Sequence, residues 1–190
     1  LAVCRSVRTP ALFPLRLFAA AYTDIFRGIP VILTILLVGF GVPGLGLGRP
    51  WNSPYLWGSV ALVLAYSSYV AEVFRAGIES VHESQRAGAR SLGLSSGQTL
   101  RFVVLPQAVR RVIPPLMNDF VSLQKDVALI SLIGPIEILR QAGIDKSKFA
   151  NFTPYVGAAI IFLLLTIPET RFVDHLMTRE RRRTSGTAVR

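Results

Sequence analysis

Three long stretches without a charged residue constrain the fold of this chain more than any other feature. They run over residues 28–48, 50–71 and 149–168, and each is about as long as a helix that crosses a hydrocarbon core about 30 Å thick. A fourth stretch, residues 112–138, is apolar with a few polar interruptions. A soluble core explains one such stretch but seldom three. The sequence therefore predicts an all-α, polytopic membrane helical bundle with four spans.

The positive charges indicate which parts lie inside the cell. The formal net charge is +10, and arginine and lysine accumulate in cytoplasmic loops. We therefore expect both ends and the central polar stretch on the cytoplasmic side. Because topology and attraction to anionic lipid explain the basic balance, nucleic acid is not an expected partner. The arginines before the first span, between the second and third, and after the last include Arg5, Arg8 and Arg16; Arg75, Arg86, Arg90, Arg101, Arg110 and Arg111; and Arg171, Arg179, Arg181, Arg182, Arg183 and Arg190.

Several chemical functions are disfavoured by the same sequence. Cys4 is the single cysteine, and His82 and His175 lie far apart, so neither a disulfide framework nor a metal site is predicted. No GxxxxGK[ST] motif is present, so the chain is not expected to bind ATP by a phosphate loop. We expect no cofactor and no enzymatic activity. The opening "LAVCRSVRTP", which begins with Leu1, predicts an N-terminal truncation that removed a further span.

The central stretch "SLGLSSGQTLRFVVLPQAVRR" lies between two apolar segments. "QRAGARSLG" predicts a short helix closed by Gly93, the residue typical just past a helix end. Ser95 to Gln98 fits a capping box, which predicts a second helix over about 96–105 that stops near Pro106. The small residues of the first helix let another surface approach closely; they are Ala87, Gly88 and Ala89. Composition alone leaves open whether the stretch docks a partner protein or lies on the membrane as a helical hairpin.

A polar stripe marks the third span. On a 3.6-residue period its members fall within an arc of about 120°, and charged groups in a membrane normally face a bundle interior or a watery cavity. The stripe is either the wall of a polar substrate path or an ion-pair cluster that ties helices together. Ser67 and Ser68 in the second span either line the same path or serve helix packing. The stripe comprises Asn118, Asp119, Ser122, Lys125 and Asp126.

Four segments together resemble one protein family. "DIFRGIPVIL", "EVFRAGIESV", "ARSLGLSSGQTLRFVVLPQAVRRVIPPLMNDF" and "LQKDVALISLIG" are similar to the inner-membrane permease subunits of bacterial ATP-binding-cassette importers, within the branch that carries polar amino acids such as glutamine, glutamate, histidine, arginine and opines. The resemblance extends from about Arg5 to Asp174. It implies a permease domain over 28–174 with a cytoplasmic coupling loop at about 75–111, an interfacial lead-in over 1–27 and a basic tail over 175–190.

The resemblance also implies a docking helix for the ATPase subunit. Gly93 and the Leu105-Pro106 pair match the family's cytoplasmic signature, whereas its Glu-Ala-Ala stretch aligns with Ala87-Gly88-Ala89, so the acidic residue is missing. Arg86 or Arg90 is a candidate to compensate. The implied docking residues are Arg86, Ala87, Gly88, Ala89, Arg90 and Gly93.

The partners that the resemblance implies are two ATPase subunits, which use the ATP, a second permease subunit, identical or different, and an extracytoplasmic amino-acid-binding protein. The expected location is the bacterial cytoplasmic membrane, in contact with lipid. ATP binding would move the docked helices and switch the path between inward-facing and outward-facing states, a two-state equilibrium biased by ligands. A stand-alone channel or secondary carrier is the alternative function, and a basic scaffold on the membrane is a third.

Overall fold

A computed structural model describes residues 13–46, 48 and 51–185, with side chains up to 178. Within this part every regular element is a helix, which confirms the all-α prediction. Predictions on Leu1, Cys4, Arg5, Arg8 and Arg190, and on the side chains of Arg179 and Arg181 to Arg183, lie outside the described residues. The α-helices are α1 (Phe13–Gly28), α2 (Val31–Gly41), α3 (Pro54–Glu79), α4 (Glu83–Ser91), α5 (Ser96–Thr99), α6 (Leu105–Asp126), α7 (Ile138–Phe149) and α8 (Thr153–Ser185).

Two helices are long and apolar enough to cross a membrane, namely α3 and the part of α8 over Thr153–Thr178. The number rises to four if each of two bent pairs forms one span. The first pair is α1 with Val31–Leu45, and the second joins Ser96–Ile133 to α7 with a bend of 50°. Gly28 and Pro30 lie at the break of the first pair. Proline fits the start of a helix because its missing N–H is not needed there.

The helix that begins at Ser96 does not end near Pro106, so this prediction was wrong. After α5 the chain forms a π-helical segment, Leu100–Val104, and continues directly into α6. In this segment the backbone N–H of Leu105 donates to the carbonyl of Leu100, one residue further back than in an α-helix. The wider turn accommodates Pro106, which has no N–H to donate. The side-chain amide of Gln107 donates to the Val103 carbonyl at 3.0 Å.

The connection before the last helix is also more ordered than predicted. The 3₁₀ segment Val127–Ile133 ends at Gly134, whose φ of 128° breaks the helix. The following segment, predicted as a connection, contains α7 instead. Both carboxylate oxygens of Glu137 accept backbone hydrogen bonds, from Leu139 at 2.9 Å and from Arg140 at 2.8 Å, which caps α7. Helix α8 runs on to Ser185, across the boundary predicted between residues 174 and 175.

The chain divides into two compact units, residues 1–28 with 67–116 and residues 29–66 with 117–190. The core of the first unit contains Ile78, Val81, Val104 and Ala108. A methyl group at Gly77 would meet the Val112 side chain and lie 3.3 Å from the Ala108 carbonyl oxygen. The absence of a side chain at Gly77 therefore lets α3 and α6 approach closely.

The second unit has its own apolar core around α2, the first half of α3 and the 3₁₀ segment. Its buried members are Ile35, Ala61, Leu62, Ile130 and Ile133, and Tyr66 packs against them. Two glycines make room for this packing. A Cβ at Gly39 would lie 2.5 Å from Ile133 Cδ1, and a Cβ at Gly58 would lie 2.7 Å from Ile130 Cγ2. These distances are shorter than van der Waals contact, so each glycine allows an isoleucine to fill the space.

Candidate functional site

The first candidate site is the helical elbow, defined here as residues 82–99 with α4 and α5. His82 precedes α4, and its Nδ1 accepts from the Ser84 N–H at 3.2 Å. Helix α4 ends at Ser91, and Gly93, just past this end, has a left-handed φ of 83°. The N–H of Gly93 donates to the Arg90 carbonyl at 2.9 Å. The predicted helix end at Gly93 is thus confirmed, since this backbone conformation favours glycine.

The start of α5 carries the predicted capping box. The Ser95 hydroxyl accepts from the Gln98 N–H at 3.3 Å, and the Gln98 side-chain oxygen accepts from the Ser95 N–H at 2.9 Å. These reciprocal bonds satisfy two backbone donors that an uncapped helix start would leave without partners. The turn between α4 and α5 therefore has a defined conformation on both sides of Leu94.

Two arginines donate hydrogen bonds to the segment around the end of α3, Arg86 from the elbow and Arg111 from α6. Arg86 donates from Nη2 to the Ile78 carbonyl at 2.6 Å, and its Nε is buried without a partner among the described residues. Arg111 donates to the backbone carbonyl of Ser80 and, at 3.0 Å, to the Ser80 hydroxyl. Arg86 is consequently engaged within its own unit, so it is less available than Arg90 to replace the missing acidic residue.

The outer surface of the elbow contains only part of the predicted docking set. Ala87, Gly88, Arg90 and Gly93 are exposed, whereas Ala89 is 5% exposed and faces the interior of the unit. Leu92, which the sequence did not single out, is 84% exposed. A large apolar side chain beside a left-handed glycine was the available signal for it.

The second candidate site is the polar stripe on α6, which lies in the second unit. Asn118, Ser122 and Lys125 are exposed, and Asp119 and Asp126 are partly buried. Lys125 forms no ion pair with either aspartate among the described residues. No ion pair of Lys125 therefore supports the interpretation of the stripe as an ion-pair cluster. The structure instead gives each aspartate a separate environment.

The two aspartates differ in their hydrogen bonding. The Tyr66 hydroxyl donates to Asp126 Oδ2 at 2.8 Å. Asp119 Oδ2 is buried and has no hydrogen-bond partner among the described residues. A buried carboxylate oxygen without a donor is costly. The sequence gave no signal for the bond from Tyr66, since the two residues are 60 positions apart.

Ser67 and Ser68 lie on the part of α3 that belongs to the first unit. Ser67 Oγ is 2.6 Å from the Tyr22 hydroxyl of α1, and Ser68 is fully buried. Both environments are those of helix packing, the second of the two interpretations offered by the sequence. The two serines therefore support a substrate path less than the polar residues of α6 do.

A cavity of about 590 Å³ lies in the second unit, beside α7 and the start of α8. The residues of the predicted polar stripe do not line it. Its polar groups include Arg140, whose Nη1 donates to the Ser131 carbonyl at 2.8 Å. Its lining residues are Ser131, Leu132, Leu139, Arg140, Gly143, Ile144, Ser147 and Tyr155.

The chain is similar to known proteins in both sequence and fold. Residues 11–182 match the family described as the binding-protein-dependent transport system inner membrane component. The chain belongs to this family. A solved structure, the crystal structure of an amino acid ABC transporter with histidines, has a TM-score of 0.84 and 33% sequence identity, covering 95% of this chain and 81% of that one.

Curated relatives of this family member agree with that match. It is 34% identical to the probable glutamine ABC transporter permease protein GlnM of Bacillus subtilis, over 91% of this chain and 79% of the relative. The arginine transport system permease protein ArtQ of the same organism is 33% identical, over 77% of this chain and 66% of ArtQ. These matches confirm the predicted resemblance to ABC permease subunits of the amino-acid branch. The chain is a transport permease subunit of this type.

Proposed function

We propose that this subunit forms the path by which a polar amino acid enters the bacterial cell, as part of an ATP-binding-cassette importer. The observation that carries the proposal is the 34% identity to a probable glutamine permease over 91% of the chain. The polar stripe on α6 supports it, because an amino acid carries charges of both signs and the stripe offers two carboxylates and one ammonium group. The subunit itself needs no cofactor in this proposal.

The proposed partners are two ATPase subunits, a second permease subunit and an extracytoplasmic binding protein, assembled in the cytoplasmic membrane. The ATPase would contact the exposed face of the elbow, and ATP would be hydrolysed there rather than in this chain. The exposure of Gly88, Arg90 and Leu92 supports this docking face. The two caps around Leu94 support it further, since a rigid elbow transmits a displacement better than a flexible loop.

Reconstitution of the complete complex tests the proposal. Uptake of one labelled amino acid into proteoliposomes, in competition with a panel of unlabelled ones, should depend on ATP and on the binding protein. A permease that passes solute without the ATPase would be a channel or a secondary carrier. Absence of flux for every amino acid in the panel would reject the transport function itself.

A Gly93→Pro variant tests the docking part separately. Proline removes the N–H that donates to the Arg90 carbonyl and cannot adopt the left-handed φ. We expect membrane insertion to persist while ATPase co-purification and uptake are lost. Gly157→Ala is the matched control, because Gly157 lies on α8, outside the elbow, and a Cβ there meets no atom within 4 Å. Normal uptake by Gly93→Pro would refute the docking face.

A further inference from the structure

We propose that Tyr66 is a positioning residue, whose hydroxyl holds the carboxylate of Asp126 in the orientation that receives the ammonium group of the transported amino acid. This inference rests on the proposed transport function and deepens it. The sequence alone places Asp126 in the polar stripe, whereas only the structure shows that Tyr66 contacts it.

The hydrogen bond itself is the first support. Tyr66 donates to Asp126 Oδ2 at 2.8 Å, and both residues are partly buried in the second unit. A hydrogen bond to a charged acceptor is stronger than one between neutral groups. It also restricts the orientation of the Asp126 carboxylate.

Asp126 lies at a change of helix type. It is the last residue of α6, and the 3₁₀ segment Val127–Ile133 begins directly after it. The hydrogen bond from Tyr66 therefore joins the first half of α3 to this junction within the second unit.

Tyr66 is itself held by the core of the second unit. It packs against the cluster that contains Ile35, Leu62 and Ile130. The cluster is tight because Gly58, two turns before Tyr66 on α3, leaves room for Ile130. A phenol that emerges from such a core keeps its hydroxyl at a defined place, which is what an orienting donor requires.

Asp119 provides a contrast on the same helix. Its Oδ2 is buried without a partner among the described residues, so no described protein donor orients it. Of the two aspartates on the stripe, Asp126 is therefore the one that the protein prepares in advance. We assign to Asp126 the specific, oriented contact with the cargo ammonium group, and to Tyr66 the role of keeping it ready.

A double-mutant cycle in the complete complex tests this role. The variants are Tyr66→Phe, Asp126→Asn and the double variant, with Tyr55→Phe as a control because Tyr55 lies on α3 and is 62% exposed. ATP-driven uptake of L-glutamine and L-arginine is measured against the concentration of loaded binding protein. Basal ATP hydrolysis and the thermal unfolding midpoint are measured in parallel.

We expect Tyr66→Phe to lower kcat for uptake about tenfold, the order of one hydrogen bond to a charged group. KM for the loaded binding protein and basal ATP hydrolysis should stay unchanged, since neither depends on how cargo is held. The double variant should transport no worse than Asp126→Asn, because Tyr66 acts through that carboxylate. Tyr55→Phe should match the unsubstituted protein.

Three results would overturn the inference. The first is uptake by Tyr66→Phe at the unsubstituted rate. The second is a double variant whose losses multiply, which would show that Tyr66 does not act through Asp126. The third is a Tyr66→Phe variant whose hydrolysis and unfolding midpoint fall along with uptake, which would assign Tyr66 a role in folding alone. If the unsubstituted complex carries no amino acid, the proposed function fails first, so the two failures are distinguishable.

Discussion

Arg86 on α4 donates a hydrogen bond to the backbone carbonyl of Ile78 near the end of α3, at 2.6 Å. Ile78 is buried in the core of the first unit, so this bond connects the elbow directly to packed structure. Arg90, one turn later on the same helix, is exposed. Arg86 therefore contacts the interior of the first unit, whereas Arg90 of the same short helix lies at the surface.

Replacing Arg86 should loosen the elbow. Arg86→Gln removes a charge-assisted bond to the Ile78 carbonyl, and we expect a loss of about 1–3 kcal/mol in the local stability of α4. Hydrogen–deuterium exchange over residues 83–91 should be correspondingly faster. Arg90→Gln is the control and should leave the exchange of α4 nearly unchanged. Equal exchange rates in both variants would contradict the internal role of Arg86.

A methyl group at Gly77 should disturb the packing of α3 on α6. Gly77→Ala would bring a Cβ against the side chain of Val112, which is 2% exposed, at an expected cost of about 1–3 kcal/mol for overpacking. The unfolding midpoint should fall, and a second substitution, Val112→Ala, should restore part of the loss. Gly88→Ala has open space around it and should be neutral or stabilising by up to about 1 kcal/mol. A Gly77→Ala variant as stable as the parent would rule out the close approach.

Substitutions at Gly93 should follow the tolerance of each residue for a left-handed backbone. At φ 83° alanine is expected to cost about 1–2 kcal/mol, and asparagine should cost less because it visits this region more readily. Coupling of ATP hydrolysis to uptake should therefore decrease in the order Gly, Asn, Ala. The ratio of amino acid transported to ATP hydrolysed measures it. A reversed order for Asn and Ala would refute the backbone explanation.

Leu92→Ser should weaken contact with the ATPase without affecting the permease fold. Leu92 is 84% exposed, so its removal leaves no cavity in the unit. Burial of a leucine side chain in an interface contributes about 1.5–3 kcal/mol, and we expect the affinity for the ATPase to fall about tenfold or more. Co-purification and a titration with the isolated ATPase measure the effect. Undiminished affinity would place the docking contact elsewhere.

Features governed by neighbouring residues were predictable from the sequence. The helix break at Gly28 and Pro30, the left-handed Gly93 and the capping box of Ser95 and Gln98 each depend on residues within about four positions. Long apolar stretches likewise indicated helices, because their length leaves few alternatives. The polar stripe on α6 followed from helical periodicity alone.

Features that depend on distant residues were not predictable in this way. The bond between Tyr66 and Asp126 joins positions 60 apart, and nothing in the spacing of either residue indicates it. The π-helical segment before Pro106 was missed because proline more commonly stops a helix than follows a widened turn. Helix α7 was missed because its polar composition resembles that of a connecting loop, and the cap that Glu137 provides was not recognised.

The contact between Gly39 and Ile133 has a consequence for how such a sequence can diverge. A Cβ at position 39 would lie 2.5 Å from Ile133 Cδ1, so neither position can change freely while the other stays fixed. Descendants that acquire alanine at 39 should carry a smaller residue at 133, and the two substitutions should be inherited together. A mutational drift experiment, in which functional variants are sequenced after many generations, should show substitutions at positions 39 and 133 occurring together.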